Sequence, residues 1–61
     1  MNGNEIIKKL QAAGWKLDRI IGSHHIMMKG NKMVPVPVHG KHDLGPGLVA
    51  SIARQTGVKL K

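Results

Sequence analysis

The chain has no cysteine, no phenylalanine and no tyrosine, and only three acidic residues among its 61. Without cysteine, disulfide staples and thiolate metal sites are excluded, and a reducing compartment poses no difficulty. Without Phe or Tyr there is no row of rings on which single-stranded bases could stack, Trp15 being the one exception. Any contact with nucleic acid must then go mainly to phosphate and sugar. Long apolar runs are missing too: none approaches the ~18 residues that suggest a membrane span, and the opening MNGNEIIKK lacks a signal-peptide pattern. These features predict a cytoplasmic protein without membrane contact.

Positive charge is what the chain does have. Ten Lys and Arg against three Asp and Glu give a formal charge of +7, for which polyanions are natural partners. Solubility alone is the plainer explanation of such a surplus. A chain this short buries only roughly 60% of its unfolded surface, so a thin core is expected.

Local patterns predict the order helix, three strands, helix. Asn4 reads as the cap of a first helix over residues 5–13, with Glu5 in the first turn, Ile6, Leu10 and Ala13 at helical spacing, and Gly14 as the stop. WKLDRII, residues 15–21, alternates with Trp15, Leu17 and Ile21 on one side and Lys16 and Asp18 on the other, Arg19 breaking the pattern. HHIMMK forms a second strand, and KGNK places Gly30-Asn31 at the centre of a two-residue hairpin turn. In the third strand, KMVPVPVH, Val34, Val36 and Val38 share a face. Pro35 and Pro37 lack ladder donors and so put this strand at a sheet edge or its frayed end. After the polar loop HGKHDLG, Pro46 opens a second helix with Leu48, Val49, Ile52 and Ala53 as its stripe and Gly57 as its end. The expected architecture is one α+β domain, a three-stranded antiparallel sheet with both helices on one face.

Four segments in this order, AAGWKL, GSHH, VPVHGKHDLGPG and SIARQTGV, resemble the HicA family, the toxin component of HicAB toxin-antitoxin systems. The likeness spans essentially all of residues 1–61, read as a single toxin domain. It implies an α-β-β-β-α fold similar to the double-stranded RNA-binding domain. It also implies an mRNA interferase: a metal-independent endoribonuclease that cuts mRNA until a HicB-type antitoxin covers its site. No cofactor is implied, and the toxin is expected to be a monomer when free and part of a hetero-oligomer with antitoxin. The family's motif of Gly, a small residue and the catalytic His falls on Gly22, Ser23 and His24. His25 matches no required residue but belongs to the same supporting segment. The sequence departs from the commoner pattern at Pro35, where a non-proline residue is usual, and at Met27 and Met28, where an aromatic is frequent.

RNA carries its own nucleophile, the 2′-hydroxyl. Cleavage needs a proton acceptor for that oxygen, a donor for the leaving 5′-oxygen and positive charge near the phosphate. Histidine suits either proton role, because an unperturbed pKa of ~6.5 leaves both forms available near neutrality. Gly22 would let the backbone turn sharply or approach a phosphate, and Ser23 could donate to a phosphate oxygen; the plainer reading is a simple turn between strands. By strand parity His24 goes with Ile26 and Met28, and His25 with Met27 and Lys29. If Lys29 marks the wet face, an in-strand His24 points at the helices. His24 is therefore expected in the turn ahead of the strand, with His25 the better candidate if the strand already includes it.

The loop after the third strand supplies His39, Lys41 and His42, any of which could act as second proton donor or charge stabiliser. It ends at a helix N-terminus, where Gly45 and Gly47 leave amides open to an anion; alternatively it is a solvated connection in which Asp43 caps the helix. Lys16, Arg19, Lys29 and Lys32 are expected to hold the RNA backbone, and Trp15 to join the core or its rim. No metal site is expected, since His24 and His25 point to opposite sides and His39 with His42 supplies only two ligands. The alternative from another class is a non-catalytic RNA-binding module that docks on a duplex by shape.

Overall fold

The computed structural model describes residues 1–60. The elements follow as α1 (Gly3–Ala12), β1 (Lys16–Ile21), β2 (His24–Lys29), β3 (Lys32–Pro37) and α2 (Pro46–Thr56). The strands form one antiparallel sheet in the order β1-β2-β3.

Helix α1 begins earlier than expected, and Asn2, not Asn4, is its cap. The Asn2 side chain accepts the Glu5 N–H at 2.9 Å, and the Glu5 carboxylate accepts the Asn2 N–H at 3.0 Å. This capping box satisfies two donors at once, which a cap at Asn4 would forfeit. At the other end, Gly14 N–H donates to Gln11 O and Trp15 N–H to Leu10 O, at 3.0 and 2.9 Å. These are the two bonds of a Schellman motif. It turns the chain so that Trp15, 2% exposed, lands beside Leu10 in the core.

The hairpin between β2 and β3 turns at Gly30-Asn31, with Lys29 opposite Lys32, as the sequence pattern predicts. Strand β3 lies at the sheet edge, as its prolines require. Val38 N–H donates to Ser23 O at 2.8 Å, so alternate residues of β3 bond to β2 and Pro35 and Pro37 occupy the positions between them. Their missing N–H groups face away from the ladder.

Strand β1 departs from its predicted pattern. A bulge between Leu17 and Arg19 leaves Asp18 unpaired, and the one-residue slip changes which side chains share a face. Leu17 (opposite Met27) and Ile20 (opposite His25) lie on the helix side, while Arg19 and Ile21 go to the open side. Neither side is covered: all six residues of β1 are exposed. The helices gather over β2 and β3. Ile6 and Leu10 of α1 and Val49 and Ile52 of α2 meet Met27, Val34 and Val36 in a core that Trp15 and Leu60 complete.

Met27 sets the orientation of β2, since it is wholly buried. His25, Met27 and Lys29 therefore face the helices, and His24, Ile26 and Met28 face the open side. Lys29 does not mark the wet face. It sits at the rim of the covered one, and its Nζ donates to Ala13 O at 2.8 Å, where α1 ends. Asp43 likewise does not cap α2, whose N-cap is Gly45 with no side-chain hydrogen bond. Instead it bridges to the start of the chain, pairing with Asn2 through the backbone and with the Met1 amino group at 3.3 Å.

Candidate functional site

Gly22 and Ser23 make the two-residue connection from β1 to β2. Gly22 has φ 59°, while Ser23 keeps a negative φ, so the turn asks for glycine at its first position and accepts a side chain at its second. The Ser23 carbonyl accepts the Val38 N–H. That bond extends the β2–β3 ladder past Pro37 and ties the 38–45 loop to the turn.

His24 is the first residue of β2, between Ile21 on one neighbour and Pro37 on the other. It lies within the strand, not in the preceding turn, and is nevertheless exposed, because the side it faces is the one without helices. His25 points the other way. It is half-buried between Ile20 and Val36, with its Nδ1 buried and lacking a hydrogen-bond partner among the described residues.

The loop brings further groups to the same end of the sheet. His42 N–H donates to His39 O at 3.1 Å in a turn through Gly40 and Lys41, and His39, Lys41 and His42 are all exposed. Both helices begin here as well. Gly3 lies against Pro37 and Val38, and Leu44 N–H donates to Met1 O at 2.8 Å. The positive ends of two helix dipoles thus adjoin the loop, and the one at α2 carries no capping side chain.

A family model for the HicA toxin of bacterial toxin-antitoxin systems matches residues 3–58. The chain belongs to the HicA toxin family. No match to a curated protein is found. As a HicA toxin it is the toxin of a toxin-antitoxin pair, and the family implies a cognate antitoxin as partner. The matched span contains the Gly22-Ser23-His24 triplet and every loop residue of this end.

Not all cations expected on RNA gather at this end of the sheet. Arg19 is on the open face opposite Ile26, with its Nε donating to Asp18 Oδ2 at 2.7 Å. With Ile21, Ile26, Met33 and Pro35 it lines a shallow hollow in the open face. Lys16, opposite Met28, and the hairpin pair Lys29 and Lys32 lie toward the far end of the strands, roughly 13 and 17 Å along the sheet from His24 at ~3.3 Å per residue. Among the described residues, no three His, Cys, Asp or Glu side chains come together as a metal site. No helix among those residues is long and apolar enough to cross a membrane.

The role of Ser23 is one that sequence reasoning missed. Its hydroxyl drew attention, but its carbonyl fixes the loop, and a backbone group leaves no trace in residue identity. The closure of α1 by Lys29 escaped for a related reason, since the contact spans 16 positions.

Proposed function

We propose that this toxin is an mRNA interferase, an endoribonuclease that cuts mRNA without metal, uses His24 as general acid or base, and is neutralised by a HicB-type antitoxin. One observation carries the reading: an exposed imidazole on the open sheet face, at the end of the sheet shared by a cationic loop and two helix N-termini. The 2′-hydroxyl attacks the adjacent phosphorus, the bond to the 5′-oxygen breaks, and the products end in a 2′,3′-cyclic phosphate and a 5′-hydroxyl. His24 exchanges the proton at one of these oxygens. Lys41 and the loop donors balance charge on the phosphate, and Arg19 holds the backbone along the open face. The +7 charge steers RNA to this surface, and the same field suits an antitoxin with an acidic face.

Purified protein incubated with a long transcript in EDTA tests the reading. Wild type is expected to fragment the RNA, and His24→Ala to slow cleavage about a hundred- to ten-thousand-fold, the range of a positioned acid or base. Intact RNA with wild type, or equal cleavage by the variant, rejects it. Tight binding to double-stranded RNA without any cleavage would establish the non-catalytic module instead.

A further inference from the structure

We infer that His39 is the second proton-transfer residue, acting with His24 across the scissile phosphate; this rests on the endoribonuclease reading above. His24 stands opposite Pro37 in the β2–β3 ladder. The Val38 N–H donates to Ser23 O one residue past that pair, so His39 leaves the sheet beside the Gly22-Ser23 turn that precedes His24. His39 accepts the His42 N–H at the start of the next turn, so the chain bends only after it.

His39 is thus two residues along the chain from Pro37, the residue paired with His24. Both histidines are exposed, and His39 follows the edge strand at the end of the sheet where His24 lies. Gly22, two residues before His24, is open: a methyl group built on it would meet nothing within 4 Å beyond its chain neighbours. A phosphate held between the two rings would lie a hydrogen bond of about 2.8 Å from each. Lys41 and His42 lie further from the ladder, in and after the turn through Gly40 and Lys41, with His42 tied back to His39.

The step balances without a co-reactant. One imidazole, neutral, takes the 2′-hydroxyl proton as the new P–O2′ bond forms. The other, protonated, gives its proton to the 5′-oxygen as the P–O5′ bond breaks.

The test uses RNA oligonucleotides spanning a mapped cut, with either oxygen or sulfur as the bridging 5′ atom, and single-turnover rates for wild type, His24→Ala and His39→Ala. A thiolate leaves without a proton donor, so sulfur relieves only the loss of the general acid. His39→Ala is expected to melt within a degree or two of wild type and to cut the oxygen linkage at least about 100-fold more slowly. Sulfur is expected to restore one of the two single variants to within about tenfold of wild type and leave the other slow. Cleavage of the oxygen linkage by His39→Ala within threefold of wild type overturns the pair, as does rescue of both variants or of neither. Wild type leaving both linkages intact overturns the endoribonuclease reading itself, a result distinct from any of these.

Discussion

Two adjacent histidines have opposite surroundings. His24 opens onto solvent while His25 has a buried nitrogen with no partner among the described residues, and an unsatisfied buried polar atom costs about 1–3 kcal/mol. His25→Leu is therefore expected to keep RNA cleavage and to leave the melting temperature unchanged or raised, with both read on one preparation. Loss of cleavage in that variant, with the fold intact, would move the reactive group to His25. Gly3 is a second residue set by its neighbours. A methyl group there would collide with the Pro37 carbonyl and the Val38 side chain, so Gly3→Ala should destabilise by about 1–3 kcal/mol, the usual range for overpacking. Urea denaturation measures this; a stability equal to wild type would mean that α1 does not press on the end of β3.

At the scale of elements, α1 owes its limits to contacts at its two ends. Replacing Asn2 by Ala removes half of the capping box, and a loss of about 1 kcal/mol is expected by thermal or urea melting. Lys29 closes the other end from a distant strand, so exchanging it for Met should shift stability less, because an exposed charge at a helix terminus contributes only about 0.3–1 kcal/mol. The same elements show what could be read from the chain. The turn at Gly30-Asn31 and the stop of α2 at Gly57 depend on residues within a few positions and were legible. The bulge at Asp18 was not. Only the disturbance at Arg19 hinted at it, and without the bulge Leu17 and Ile21 would share a face.

Across the whole molecule, burial is lopsided. The helices cover β2 and β3, while Leu17, Ile20 and Ile21 of β1 remain 43%, 54% and 58% exposed. Ile52→Ala is expected to cost about 2–5 kcal/mol and Ile20→Thr no more than about 0.5 kcal/mol. Parallel melts of the two variants compare them directly, and similar losses would mean that β1 is covered in solution. The charge of +7 also acts on this scale: RNA affinity should fall with salt at a log-log slope near −0.7 for each phosphate neutralised on a single strand. A flat salt dependence, measured by filter binding or anisotropy, would show that the field plays no part.

By itself the sequence determined what depends on near neighbours: the order of the elements, the two-residue turns, the proline-marked edge strand, the charge surplus, and the Gly22-Ser23-His24 triplet on which the family resemblance rests. Alternation along β2 also separated His24 from His25. Only the tertiary structure decided which of those two faces the helices cover, because a period of two fixes parity and not side. Lys29 pointed the wrong way since a lysine at a strand end can stand exposed at the rim of the covered face and place its ammonium on a helix carbonyl. Met27, pressed between Leu17 and Val34 beneath the helices, settles the side, and His24 faces the open surface as a result.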